Sequence, residues 1–316
     1  MFEIVFLGTS ASAPSIHRGL TSHIVLHDEH RFLIDCGEGT QRQIMKSGMG
    51  FKRLNKILIT HGHLDHILGL AGLMSTFMRW EAIEDIEVFG GSWALSRIKD
   101  LLYGVVMRGA RPQMNIQFHE ISAGEIFACE DFKVSAFPVF HRGSDCFGFL
   151  FEEVSRRPFL DDKAQALQIP HGPWRRDLVN GLPATLPDGR QITPDQVLGP
   201  ERPGTRYVHV GDVGRSGDLV NICQDADVLV IEATYLQDQV DLAKEFSHFT
   251  AQQAAELAIQ TGVKHLILTH ISRRYRERDV ITEARAVKPD TYIARDFDHY
   301  QIKRGDLLKA NLLENK

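Results

Sequence analysis

The sequence predicts an α/β protein in which two β-sheets carry helices on their outer sides. Three observations predict it. Five short, β-rich apolar runs each stop at a polar residue capable of chemistry, helical stretches lie between them, and the early chain folds back on itself as a hairpin.

In chain order, a strand-like segment opens at Phe2 and Glu3. Ile24 to His27, Asp28-Glu29-His30, and Arg31 to Ile34 read as strand, turn and strand. A helix is expected from Glu38 to about Ser47. Lys56 to Thr60 is an apolar run that reaches His61, and a helix is expected to follow the histidines there, from about Leu68 to Met78. Lys133 to Phe140 reaches His141, Arg206 to Gly211 reaches Asp212, Asp227 to Ile231 reaches Glu232, and His265 to Thr269 reaches His270. The clearest helix is Ala251 to Gln260: Thr250 and Gln253 form a capping box, and Gly262 sits where a left-handed residue ends a helix. His248 therefore stands just ahead of a helix N-terminus. Buried strands are committed to packing along their bodies, so functional groups gather at their ends, and five such ends can surround one site. The stretch from about Ser155 to Pro203 differs. It is rich in proline and glycine, contains Ile169-Pro-His-Gly-Pro173 and Leu186-Pro-Asp-Gly-Arg190, and lacks sustained periodicity, so it is expected to be an insertion (155–203) projecting from a single domain spanning 1–316.

Composition bounds the function. Hydrophobic residues make up 43% of the 316, charged residues 24%, and no apolar run approaches the roughly 20 residues of a membrane-spanning helix. The N-terminus lacks the pattern of a signal peptide, so a cytoplasmic protein without a membrane partner is expected. Cys36, Cys129, Cys146 and Cys223 are far apart, form no C-x-x-C pair, and are expected to be buried thiols. A net charge of −5 argues against broad electrostatic capture of nucleic acid and leaves room only for a local basic patch.

His61-Gly-His63-Leu-Asp65-His66 places three imidazoles and a carboxylate within six residues, directly after a strand. Neutral imidazole nitrogens and carboxylate oxygens suit zinc, with manganese and iron as substitutes, and Gly62 permits a tight bend. The alternative is a solvated loop in which Asp65 only caps a helix. His141, Asp212 and His270, at other strand ends, supply the ligands that two ions would still need, with Asp212 as the natural bridge. Two ions about 3.5–4 Å apart lower the pKa of a bridging water and steady the entering and leaving oxygens of a displacement, so hydrolysis is the expected chemistry.

The H-x-H-x-D-H cluster with later His, Asp and His residues resembles the metallo-β-lactamase superfamily, which implies a four-layer αββα sandwich. Phe6-Leu-Gly-Thr-Ser-Ala11, Ile34-Asp-Cys-Gly-Glu-Gly-Thr-Gln41, Ile169-Pro-His-Gly-Pro173, Asp188-Gly-Arg190 and Thr269-His-Ile-Ser-Arg-Arg-Tyr275, in that order, narrow the likeness. Together they resemble the ribonuclease Z family of endonucleases that remove 3′ trailers from precursor tRNA. The resemblance implies that His61, His63 and His141 bind one zinc ion, that Asp65, His66 and His270 bind a second, and that Asp212 bridges them. It implies further that Asp65 orients or deprotonates the attacking water and that Glu232 and His248 deliver a proton to the leaving oxygen. From the residues alone, Glu232 fits a salt bridge as well as catalysis. The resemblance also implies an RNA and not a DNA substrate, a homodimer, and a flexible arm in the insertion that grips the tRNA body and serves the partner subunit's site.

The chain departs from the family pattern at several points. Gly62 and Leu64 exchange the leucine and glycine of the usual His-Leu-His-Gly-Asp-His, Val213 replaces a threonine, and Phe249 replaces a small hydroxyl residue. The last two are expected to remove polar groups near the phosphate. In the arm Arg156, Arg157, Lys163, Arg175 and Arg176 are offset by Glu152, Glu153, Asp161, Asp162 and Asp177. Arg175, Arg176, Arg273 and Arg274 are the candidate substrate contacts; the last two follow His270 directly in a loop. Two other functions compete: a small-molecule phosphodiesterase on the same scaffold, favoured by the acidic balance, and a non-catalytic RNA-binding protein that retains metals for folding. Asp35 fits either support of a ligand histidine from behind or the shaping of its own turn.

Overall fold

The computed structural model describes residues 1–80, 83–109 and 114–310. In chain order its strands are β1 (Phe2–Gly8), β2 (Ser22–His27), β3 (His30–Ile34), β4 (Lys56–Leu58), β5 (Asp85–Gly90) and β6 (Asn115–Glu120). Next come β7 (Gly124–Ala128), β8 (Phe132–Pro138), β9 (Phe147–Glu153), β10 (Ala184–Thr185), β11 (Gln191–Ile192) and β12 (Arg206–His209). The last are β13 (Val228–Glu232), β14 (His265–Thr269), β15 (Thr291–Ile293), β16 (His299–Lys303) and β17 (Asp306–Ala310). Two compact units result. The larger comprises Met1–Cys129, Lys133–Glu152 and Thr205–Lys316, and the smaller Glu130–Phe132 and Glu153–Gly204.

The larger unit holds an eight-stranded sheet, β17-β16-β1-β2-β3-β4-β5-β6, and a seven-stranded sheet, β15-β14-β13-β12-β9-β8-β7. Strand alternation sorts side chains into three cores. Val5, Leu7, Ile24, Leu33, Ile57 and Val88 meet the helices Thr40–Ser47, Gly69–Trp80 and Ser92–Leu101 through Ile44, Leu70, Leu73, Met74, Leu95 and Ile98. Val208, Val210, Leu229, Ile231, Leu266 and Leu268 meet the helices Ala251–Gln260 and Glu277–Val287 through Ala254, Leu257, Ala258, Val280 and Ala284. The opposite faces of the two sheets meet through aromatic rings. Phe151 packs edge-on against Phe2 and Phe32 at 5.8 and 5.6 Å, and His23 lies 4.4 Å from His209. The order helix, sheet, sheet, helix is the expected αββα sandwich, and β12, β13, β14 and β15 run parallel within it.

Several boundaries differ from expectation. β4 ends at Leu58, β8 at Pro138 and β12 at His209, each short of the reactive residue it leads to. The chain has already left the regular ladder there: Ile59 still bonds to Phe89, but the Thr60 carbonyl accepts from Phe147 of the other sheet at 2.8 Å. The first helix begins at Thr40, not Glu38, because Gly39 has a left-handed backbone (φ 84°). Ala251–Gln260 forms as expected, with both halves of its capping box and Gly262 at φ 66°. Among the cysteines Cys36, Cys146 and Cys223 are buried, but Cys129 is half-buried, a correction to the expectation for all four.

The smaller unit is more regular than its sequence suggested. It carries the helices Asp161–Ala166, Pro173–Val179 and Pro194–Val197 and the β10–β11 hairpin, around a core of Ala164, Ile169, Leu178, Leu186, Ile192 and Val197. Helices of four to seven residues are too short to show a period, which is why the pattern was not visible in the sequence. Its charges pair internally: Arg156 with Asp131, Arg157 with Asp195 at 2.6 Å, Arg175 with Asp161 at 3.2 Å and Arg190 with Asp188 at 2.8 Å. Among the described residues no helix is long and apolar enough to cross a membrane.

Candidate metal centre

The two sheets bring their loop ends together on one rim. His61 and His63 follow β4, Asp65 and His66 lie in the helical turn Leu64–Ile67, His141 follows β8, Asp212 follows β12, and His270 follows β14. The seven side chains converge in two sets. His61, His63, His141 and Asp212 form one, Asp65, His66 and His270 the other, and within each the ligand atoms lie within 4.8 Å of one another. Asp212 stands between them. Its Oδ2 lies 3.8 Å from His61 Nε2 and 3.7 Å from His141 Nε2, while its Oδ1 lies 3.6 Å from His66 Nε2 and 3.3 Å from His270 Nε2. Asp65 Oδ2 closes the second set, 3.7 Å from His66 Nε2 and 3.6 Å from His270 Nε2. His63 presents Nδ1, 2.8 Å from His61 Nε2 and 3.3 Å from His141 Nε2. Nitrogens on one tetrahedral zinc stand about 3.3 Å apart, so these spacings suit a shared ion.

The residues fit a divalent cation for a second reason. His66 Nε2, His270 Nε2 and Asp212 Oδ1 are buried without a hydrogen-bond partner and face one another. Orphaned buried polar atoms are costly, and a cation among them removes the cost.

Four of the five imidazoles are oriented from behind. His66 Nδ1–H donates to Asp35 Oδ2 at 2.7 Å, and His141 Nδ1–H donates to the Ser247 carbonyl at 2.7 Å. Thr60 Oγ1 donates to Asp35 Oδ2 at 2.8 Å, leaving its lone pairs to accept from His61 Nδ1–H at 3.0 Å. Thr234 Oγ1 repeats the arrangement, donating to Glu232 and accepting from His270 Nδ1–H at 2.8 Å. Because both hydroxyl protons go to carboxylates, all four imidazoles keep an Nε2 lone pair pointed inward. Asp35, fully buried, thus does both things its sequence position allowed: it supports His66 and, through Thr60, His61, and it shapes its turn at φ 56°. Ser12, Ser247 and His270 also have left-handed backbones, at φ 54°, 56° and 55°, and all three touch the centre. Ser12 N–H donates to Asp65 Oδ2 at 2.9 Å. Such strain, about 1–3 kcal/mol per residue, concentrates where geometry matters more than stability.

Beside the metal sets, His248 Nδ1–H donates to both oxygens of the fully buried Glu232, at 2.9 and 3.0 Å. Burial opposes the charged imidazole, but the charge and hydrogen bond of Glu232, with Asp212 and Asp65 beyond it, raise His248 to about 9. Asp65 is half-buried, which opposes its charge, yet His66 and His270 hold it well below the usual carboxylate range. His63, Asp65, His141, Asp212 and His248 line a cavity of about 390 Å³ together with Arg142, Arg273 and Arg274.

One sequence expectation needs correction. Val213 and Phe249 are buried, with no exposure for Val213, and both belong to the core beneath the second sheet. The Val213 backbone N–H donates to Glu232 at 2.6 Å. Their side chains face packing and not the cavity, so they remove no polar group from it. Arg175, offered as a substrate contact, points its guanidinium at Asp161 and at the Ile169 and Pro170 carbonyls of its own unit, whereas Arg176 is exposed. Sequence reading missed Trp93. Its ring meets His63 edge-on at 5.5 Å and packs over Gly62 and Gly143, where an added Cβ would come within 3.0 and 2.7 Å of it. The exchange of leucine and glycine fits this packing: position 62 is crowded by Trp93 and by Ala94 Cα at 3.1 Å, while Leu64 is exposed. Trp93 itself lies in no sequence motif.

Comparison with known proteins agrees with this geometry. The family described as anti-Pycsar protein Apyc1 matches residues 2–162, and the β-lactamase superfamily domain matches residues 179–271. The ribonuclease Z of Bradyrhizobium diazoefficiens is 42% identical over 299 residues, covering 95% of this chain and 99% of the relative. The chain belongs to the ribonuclease Z family. Another member, the ribonuclease Z of Archaeoglobus fulgidus, is 38% identical and covers 94% of this chain and 96% of its own. Among solved structures, human tRNase Z, short form, has 28% identity and a TM-score of 0.66, covering 95% of this chain and 99% of that one. The metallo-β-lactamase fold protein YhfI from Bacillus subtilis, at 14% identity and a TM-score of 0.68, shares the fold alone. This member of the family thus carries the metallo-β-lactamase fold and a histidine–aspartate cluster suited to divalent metal.

Proposed function

We propose that this chain is a two-zinc endoribonuclease that removes 3′ trailers from precursor tRNA. The observation that carries the reading is Asp212, whose two oxygens face two separate ligand sets, His61, His63 and His141 on one side and Asp65, His66 and His270 on the other. When bound, two divalent ions supply an acidified water and positive charge beside the phosphate oxygens. Asp65 Oδ2, held by the Ser12 N–H, orients the attacking water and takes up its proton. The water oxygen bonds to phosphorus and the P–O3′ bond breaks. His248, fixed through Nδ1 by Glu232, gives the Nε2 proton to the leaving 3′ oxygen. The products are a tRNA 3′-hydroxyl and a trailer 5′-phosphate.

A strand-like substrate is favoured over a small ester by the surroundings. The metal cavity shares Ser272 and Arg273 with a neighbouring cavity of about 770 Å³ that carries Arg18, Arg278 and Arg295. That one shares Ser15, His17 and Arg18 with a third, lined by Arg42 and Lys46. The exposed Arg42, Lys46, Arg273 and Arg278 along these cavities suit a phosphate backbone, whereas Arg18 and Arg295 are paired with Glu277. Arg273 and Arg274 contact phosphates at the centre, and Arg176 contacts the tRNA body from the inserted arm, 155–203. The chain acts in the cytoplasm as a homodimer in which each arm serves the other subunit's site. Precursor tRNA and bis(p-nitrophenyl) phosphate assayed side by side, with metal analysis of the same sample, test this. Trailer release and two equivalents of zinc are expected. Cleavage of the small ester alone supports the phosphodiesterase reading instead.

A further inference from the structure

Phe140 precedes His141 and leaves 46% of its surface exposed, although its chain segment is tightly held. The Gly214 N–H donates to the Phe140 carbonyl at 2.7 Å, and a Cβ on Gly214 would stand 3.2 Å from the Phe140 ring and 2.8 Å from Ser247. Ser247 in turn accepts from His141. The ring is therefore fixed to the segments that position a candidate ligand of the metal centre. Its partner is Arg215, whose guanidinium lies 4.4 Å from the ring centre while Nε donates to Asp218 at 2.8 Å. On the other side of His141 the arrangement repeats: the Arg142 guanidinium lies 5.2 Å over the Phe246 ring, and both residues line the metal cavity.

A phosphate requires the cations but not the rings. An exposed phenyl ring layered with a guanidinium offers a flat, polarisable surface, which is what a nucleobase stacks on, whatever its identity. We infer that Phe140 and Arg215 form a stacking platform for a nucleobase flanking the scissile phosphate, with Phe246 and Arg142 as the adjoining layer. The inference rests on the phosphodiester reading and adds to it: the enzyme grips a base beside the cut, not only phosphate and tRNA body.

The test pairs Phe140→Ala, Phe140→Leu and Phe140→Trp with precursor tRNAs made abasic, one at a time, at the two nucleotides on each side of the cleavage point. Phe140→Ala is expected to raise KM for intact precursor about tenfold, within the range of one lost base stack. Phe140→Leu should do the same and Phe140→Trp should restore binding, since the platform needs a ring and not bulk. At one abasic position the wild type should lose about as much, and Phe140→Ala should then cost nothing further. An oligoribonucleotide spanning the cut, with 2-aminopurine at that position, should be quenched on binding the wild type and Phe140→Trp but not Phe140→Ala. Independent losses at every abasic position, rescue by leucine, or undiminished quenching by Phe140→Ala would overturn the inference. Wild-type enzyme that quenches the probe yet leaves precursor tRNA uncut would overturn the functional reading and leave the platform standing.

Discussion

Replacing Glu232 with Gln tests the proton-delivery pair at its most quantitative point. Glutamine keeps the volume of a fully buried side chain and an oxygen for the Val213 N–H, but removes the charge that His248 faces at 2.9 and 3.0 Å. That charge and its hydrogen bond are the chief reasons His248 stands at about 9 against the opposing effect of burial. Without them the imidazole is taken to return to the ordinary histidine value of about 6.5. The sign follows from which form works: a proton donor is active below its pKa and is lost as pH rises through it. At pH 8 a group titrating at about 9 is about 90% protonated and one at 6.5 about 3%, so the variant should cleave about 30-fold more slowly. At pH 6 both are mostly protonated, and the deficit should shrink to less than about twofold. Single-turnover cleavage of precursor tRNA from pH 5.5 to 9.5, at verified metal content, reads this directly. Wild-type rates should decline only above about pH 9. A deficit of equal size at pH 6 and pH 8 would refute the argument and leave Glu232 a positioning role only.

Three further outcomes are expected. Asp65→Ala should retain tRNA affinity while turnover drops by about 10²–10⁴, and cleavage at the wild-type rate would remove Asp65 from its assigned role. Asp35→Ala takes the support from His66 directly and from His61 through Thr60; chelator competition should show metal affinity weakened about 10–100-fold, and unchanged affinity would count against the relay. Replacing Arg273 and Arg274 together with Ala should raise KM for precursor tRNA and lower the salt dependence of binding by about two phosphate contacts. An unaltered salt slope would place both side chains in solvent.

What could be read in the sequence was local. His61 to His66 declares itself because six consecutive residues carry the donors, and Ala251–Gln260 declares itself because its cap and its period lie within a dozen residues. The strand ends at His141, Asp212 and His270 were visible as breaks in apolar runs, but that Asp212 offers one oxygen to each set is a fact of three dimensions. What stayed hidden depended on distant partners. Thr60 and Thr234 look like ordinary strand-end hydroxyls until their carboxylates, Asp35 and Glu232, are in place. Val213 and Phe249 stand where the family resemblance implies hydroxyl residues near the phosphate, yet each is one step from a reactive residue and turns its side chain into the core. Trp93 carries no motif at all; only its contact with His63 and with two glycines marks it.

The position of β1 reaches beyond catalysis. It pairs with β2 on one side and with β16 on the other, joining residues 2–5 to residues 299–302 in the interior of the larger sheet. During synthesis β1 lacks one neighbour until residues 299–302 have also emerged, so this sheet cannot close progressively along the chain. Until then an apolar edge of β1 stays open to stray pairing with other chains, and the β1–β16 ladder is a late step in completing the sheet.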